Sequence, residues 1–384
     1  MTRDSLAPLV LSLVSIGLVA VLWSRCSVKP DSVVRVPPMF PRPALPADDL
    51  PTAAKVEMGR RLFYDRRLSR TGHTACATCH RQELAFTDGK AHAIGDTGEV
   101  HKRSTMSLAN VAYAARLSWA NPLAAKLDLQ VRVPLFTEDP VEMGLSGREA
   151  MIGKLLREEP VYANGMPLAF PGDAAPFDVD HLVRAIAAFE RTLISGDSAY
   201  DRYAHGDKSA LTPEAHAGMD LFFGERLECF HCHGGFDFAD SVTQQNAAAA
   251  QGGAPYHNTG LYNLGPHGEY PVGGRGVYEV TRDLSDMGAF KAPTLRNIAI
   301  TAPYMHDGSI ATLDAVLDHY AAGGRTIAEG PSAGVGSKNP HKSDFIQGFK
   351  LSDDERRSVI AFLTSLTDEA FLHDPRFADP WATH

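Results

Sequence analysis

The chain has 384 residues, 44% of them hydrophobic and 22% charged, with a net charge of -9 at pH 7. That length provides a core for each of two or three domains. The charge balance excludes the basic surface that nucleic-acid binding requires, and a mildly acidic surface suits a basic partner.

Arg3 precedes an apolar segment from Leu6 to Trp23, which Arg25 closes. Its length lies between a signal-peptide core and a membrane span. Residues 1–28 therefore read as a signal peptide or an N-terminal membrane anchor. Trp23, Ser24 and Arg25 fit a cleavage site poorly, which leans towards the anchor; Cys26 raises a lipoprotein reading, against which Trp23 and Arg25 also count. Each outcome delivers the body to the periplasm, with membrane contact through this segment alone. Residues 29–51 carry Pro30, Pro37, Pro38, Pro41, Pro43, Pro46 and Pro51, a density that forbids helix and predicts an extended linker or strap.

Four of the five cysteines lie in two pentapeptides, Cys76-Ala-Thr-Cys79-His80 and Cys229-Phe-His-Cys232-His233. C-x-x-C-H is the pattern of covalent haem attachment, with two thioethers to the porphyrin and an adjacent imidazole for the iron. A redox dithiol does not require a following His twice, and a four-Cys zinc site would have to join widely separated halves. Two c-type haems are the expectation.

Residues from Ala53 to Leu68 form a predicted helix with Val56, Gly59, Leu62 and Phe63 on one face. Thr212-Pro213 starts its echo, in which Gly218, Leu221, Phe222 and Leu227 stand 159 positions beyond Gly59, Leu62, Phe63 and Leu68. A second echo closes each half: Ala188, Phe189 and Leu193 of the 180–193 helix reappear as Ala361, Phe362 and Leu366, after a capping box of Ser352 and Glu355. Gln251 to Gly276 holds eight glycines and predicts a long loop. The fold expected is mainly α: two cytochrome c-like domains over 52–203 and 204–384, each with one covalent haem and long irregular loops.

The sixth position of each iron decides between electron carriage and peroxide chemistry. Ala85 to Gly89, Arg103 to Asn110, Trp119, Pro134, Val141-Glu142-Met143, Phe290 to Asn297 and Ala302 to Gly308 together resemble the bacterial di-haem cytochrome c peroxidase superfamily. Within it the pattern is closer to the MauG branch, in particular the di-haem enzymes found with methanobactin-type copper systems. The resemblance covers about residues 50 to 368. It implies a peroxidatic haem on His80, an electron-transfer haem on His233, a relay Trp between them, and a Ca²⁺ between the domains held mainly by carbonyl oxygens and water.

Carried onto this chain, Trp119 matches the relay, with a core aromatic as the plain alternative. Gln130, Pro134 and Glu142 match the distal pocket. Glu142 is suited to move peroxide's proton, although it stands three residues further from Trp119 than in the peroxidases, and Glu138 competes with it. The peroxidases have a blocking His after the segment matching Ile94-Gly95; this chain has Asp96, flanked by His92 and His101. Tyr304 is the expected sixth ligand of the second iron, with Met305 and Met287 as rivals and a hydrogen-bonded core tyrosine as the alternative. The resemblance thus implies an enzyme that uses H₂O₂ at the first haem, shares oxidising equivalents through Trp119 and oxidises a Trp or Tyr of a periplasmic protein substrate. A peroxide scavenger fed by a cytochrome or copper-protein donor is the alternative, and a non-catalytic di-haem carrier a second one.

Overall fold

The computed structural model describes residues 33–246 and 255–382. The apolar N-terminal segment, with Cys26, lies outside the described residues, as do 247–254 of the Gly-rich stretch. Among the described residues no helix is long and apolar enough to cross a membrane. Helices and irregular loops dominate; the named strands are two residues each, Thr326–Ile327 and Gly334–Val335, paired antiparallel.

The two sequence echoes become one packing motif used twice. The leading helix Ala53–Phe63 crosses the closing helix Val179–Glu190, and Pro213–Phe222 crosses Asp353–Thr364 in the same way. At the first crossing a Cβ on Gly59 would stand 1.9 Å from the Ala185 carbonyl oxygen; at the second, one on Gly218 would stand 1.8 Å from that of Ser358. Only the missing side chain lets the backbones approach so closely. Caps set where these helices begin: Thr52, Asp178, Thr212 and Ser352 each accept a backbone N–H from the first turn. The first leading helix is shorter than its sequence suggested. It stops at Phe63, because the Asp65 carboxylate accepts from Arg67 N at 2.9 Å and starts a separate turn, Arg66–Leu68.

A third echo, not evident from periodicity, ties each closing helix to a loop. Asn110 and Asn297 both adopt left-handed backbone (φ 60° and 62°), and their N–H groups donate to Leu193 O and Leu366 O at 2.8 and 3.0 Å. A short 3₁₀ turn follows each, Val111–Tyr113 and Ile298–Ile300.

Three segments cross the seam between the halves. Phe40 of the Pro-rich strap packs edge-on against Tyr113 and Phe236, and Tyr113 Oη donates to Pro41 O at 2.7 Å. Arg296, 2% exposed, lies 4.5 Å over the Phe40 ring and forks onto both carboxylate oxygens of Asp201 at 2.8 and 3.0 Å. The C-terminal tail turns back: Phe371, Leu372 and Phe377 pack in the same apolar cluster as Leu62, Phe86 and Phe189.

Candidate active site

Each haem pentapeptide is a single helical turn, Cys76–Cys79 and Phe230–His233, placed directly after a leading helix. None of the four thiols is in a disulfide. Burial pushes the Cys79 thiol up to about 11, and Cys76 higher still. The following imidazoles are oriented alike. His80 Nδ1 bonds Phe86 O at 2.8 Å and His233 Nδ1 bonds Phe238 O at 3.1 Å, which leaves each Nε2 for a metal.

Those two carbonyls are delivered by strained backbone: Phe86 and Phe238 have φ of 61° and 50°, a region bulky residues rarely occupy. The preceding carbonyls are clamped by equivalent hydroxyls, Ser107 Oγ to Ala85 O and Thr294 Oγ1 to Asp237 O, both at 2.6 Å. Burial lowers the pKa of both imidazoles and keeps them neutral, the form that ligates.

The structure brings Gln130 and Pro134 together with the segment that carries Glu142. Gln130 and Pro134 are four residues apart on the helix Leu127–Phe136, hence on one face. Met143 N donates to Pro134 O at 2.9 Å and draws the neighbouring Glu142 alongside. Desolvation pushes the Glu142 carboxyl up to about 7, although 36% of its side chain is exposed. Its charge also raises both Cys76 and Cys79, behind the larger effect of their burial, so it stands near both thiols. Glu138 is exposed.

Asp96, at the position where the peroxidases carry a blocking His, and the flanking His92 and His101 each have a distinct setting. The Asp96 carboxylate accepts from Thr71 N and Thr71 Oγ1, both at 2.7 Å. His101 Nδ1 lies 3.9 Å from Glu142 Oε1. His92 Nδ1 is buried without a partner, and its ring is close enough to His306 to lower that residue's pKa, behind the larger effect of burial.

Trp119 stands at the seam. Its Nε1 donates to Ser104 O at 3.0 Å, and its carbonyl accepts Lys291 N at 2.9 Å. It lines two cavities at once. One, of about 1320 Å³, holds Cys229, Cys232 and His233 in its wall. The other, of about 910 Å³, lies between the halves among Ser104, Thr105, Asn110, Thr301 and Pro303. Tyr304, Met305 and Lys291 share both walls. Met287 is buried in the second core and is not in the wall of the His233 cavity. The Tyr304 hydroxyl donates to Ile298 O at 3.1 Å, and burial pushes it up to about 12.

Two haems fit this donor set. Neutral, singly held imidazoles each expose one nitrogen beside paired thiols. The apolar His233 cavity is walled by residues such as Phe222, Leu261 and Leu363.

This fold and donor set define a di-haem c-type oxidoreductase. The family model for di-haem cytochrome c peroxidase matches residues 53–209. The methylamine utilization protein MauG of Methylorubrum extorquens is 34% identical over 318 residues, 83% of this chain and 79% of that protein. Cytochrome-c peroxidase IdrP1 of Denitromonas iodatirespirans is 32% identical over 356 residues, 88% of this chain and 89% of that protein. A crystal structure of a MauG-like protein associated with microbial copper homeostasis shares 44% identity at a TM-score of 0.88, covering 91% of this chain and 99% of that one. The chain belongs to the di-haem cytochrome c peroxidase and MauG family, whose members are peroxide-dependent oxidoreductases.

Sequence reasoning missed Phe86 and Phe238, whose carbonyls set both ligands, and Lys291, a buried ammonium pushed down to about 8 by burial. A visible signal was present for the first pair. Each Phe follows its C-x-x-C-H by five or six residues.

Proposed function

We propose that this protein consumes H₂O₂ in the periplasm at the His80 haem and uses the two oxidising equivalents to oxidise a Trp or Tyr side chain of a partner protein. The haems supply the electron-accepting chemistry when bound, through His80 and His233. Gln130, Pro134 and Glu142 line the peroxide side, where Glu142 takes a proton from the oxygen nearer the haem and returns one to the departing oxygen. Overall H₂O₂, two protons and two electrons give two waters, and the partner's side chain is the electron source.

The observation that carries this reading is Trp119, fixed by Ser104 and lining both the His233 cavity and the seam cavity. An indole held there can pass charge between the halves without moving. The turned-away Asp96 supports a first site open to peroxide without prior reduction. Tyr304 is our sixth ligand for the second iron, where a phenolate would favour the oxidised metal; Met305 is its rival, and Met287 falls behind because it does not line the cavity. The family likeness implies one Ca²⁺ between the domains, held mainly by carbonyls and water.

Similarity to the copper-homeostasis protein favours a copper-binding partner as substrate. The test is to add H₂O₂ to the haem-loaded protein with a copper-binding protein encoded beside it, and to read that partner by mass spectrometry. Loss of hydrogen or gain of oxygen at a Trp or Tyr is expected. An unmodified partner, with rapid oxidation of a reduced cytochrome instead, would sink the proposal in favour of peroxide scavenging, the activity that similarity to a cytochrome-c peroxidase supports.

A further inference from the structure

The loop from Ala93 to His101 folds back on itself: Gly95 N donates to Glu99 O and His101 N to Ala93 O, each at 2.9 Å. It is bound twice to the segment that carries Glu142. Asp96 N donates to Glu142 O at 2.7 Å, and Val141 N donates to Glu99 Oε2 at 2.8 Å. The contact is backbone to backbone, since a Cβ on Gly95 would stand 1.9 Å from Val141 O. The end of this loop presents an imidazole to the carboxyl, with His101 Nδ1 3.9 Å from Glu142 Oε1.

We propose that His101 is the positioning residue for Glu142, holding its carboxyl towards the peroxide site and exchanging the proton that the carboxyl shuttles. This rests on Glu142 as the acid–base group. The separation is too long for a direct hydrogen bond and is closed by a modest carboxylate rotation or a shared water. With 13% of its side chain exposed on a surface loop, the ring touches both Glu142 and solvent.

The pairing itself rests on the 3.9 Å separation and on the loop that fixes it. Burial lowers the His101 pKa, and the Val141 carbonyl, Glu99 and Asp88 oppose that without reversing it. Burial raises Glu142, whose remaining neighbours are the Cys76 and Cys79 thiols, uncharged once joined to haem. Both shifts favour the neutral forms, so near neutral pH the carboxyl can carry the proton while the imidazole is free to accept it. His92, by contrast, faces the His306 side.

The experiment is stopped-flow mixing of the haem-loaded protein with H₂O₂ across the pH range in which Glu142 titrates, for the natural chain, His101→Gln and Glu142→Gln. In the natural chain the rate should fall towards acid more steeply than one ionisation allows. His101→Gln should lose about 10-fold or more, with an acid limb reduced to a single, displaced ionisation and an unchanged ferric absorption spectrum. An unaltered rate and profile in His101→Gln overturn the proposal, as does loss of a low-spin component, which would make His101 an iron ligand. If that variant does not fold, a single-ionisation limb in the natural chain overturns it equally. Full reactivity in Glu142→Gln would instead overturn the underlying reading of Glu142.

Discussion

Gly59 and Ala185 meet with no room for a methyl group between them, and Gly218 and Ser358 repeat that relationship in the second half. Alanine is ordinarily the better helix former by up to about 1 kcal/mol. Here the overlap is with rigid backbone, so overpacking of about 1–3 kcal/mol outweighs the gain. Gly218→Ala and Gly59→Ala should each lower the unfolding temperature of the haem-loaded protein. A surface Gly→Ala at a site with helical backbone would do the reverse.

Arg296 is fully enclosed between Asp201, Phe236 O and the Phe40 ring. Its replacement by Met strands a buried carboxylate, an effect of about 3–5 kcal/mol. Lys is expected not to rescue, because it lacks the planar fork that meets both oxygens of Asp201. Thermal unfolding reads the loss. Hydrogen exchange at Phe40 should rise in parallel, since the strap is pinned by the same guanidinium.

Glu142, with its carboxyl near 7, makes peroxide reactivity dependent on pH. The base form is the carboxylate, so the rate should rise with pH through about that value. Glu142→Gln should lose roughly 100-fold or more and lose the pH dependence with it, while both haems stay attached. Rapid-mixing absorption spectroscopy checks both outcomes.

Glu190 is 7% exposed at the end of the first closing helix, and burial pushes its carboxyl up to about 8, against a smaller opposing effect of Arg191. A folded-state pKa raised above the unfolded value of 4.5 means that the native state holds the extra proton. Stability therefore falls as pH rises from about 4.5 towards 8. Glu190→Gln removes that loss and should gain on the order of 3 kcal/mol at the alkaline end, with little change at the acid end. Denaturant titrations at the two extremes provide the comparison.

Trp119→Phe keeps an aromatic ring at the seam but removes both the readily oxidised indole and its bond to Ser104 O. Reaction with peroxide at the first site should persist, whereas oxidation of the partner protein should fall to background. Tyr304→Phe should alter the low-spin spectrum of the second haem; an unaltered one would transfer the ligand role to Met305.

Much of this was legible in the sequence because it is written in residue identity at fixed spacing. The C-x-x-C-H pentapeptides, the Gly59–Gly218 echo and the Thr212 and Ser352 caps need no tertiary information. Gln130 and Pro134 came from the family resemblance alone, and their shared helix face is seen only in the structure. The pairing of His101 with Glu142 was not legible, since it depends on a folded loop held to the Glu142 segment by one backbone hydrogen bond and one from Val141 N to the Glu99 carboxylate. Phe86 and Phe238 act through carbonyls, which leave no side-chain signature. The role of Asp96 was visible only as an absence; that it serves Thr71 is a fact of geometry.

The tail carries a consequence for the order of assembly. Phe371, Leu372 and Phe377 complete the apolar cluster built around Leu62, Phe86 and Phe189, and the tail reaches it only after the second closing helix has been laid down. During synthesis the first half therefore emerges early but lacks part of its own interior until residues 371–377 arrive. A chain cut short before Phe371 would therefore leave its damage around His80, far away in the sequence.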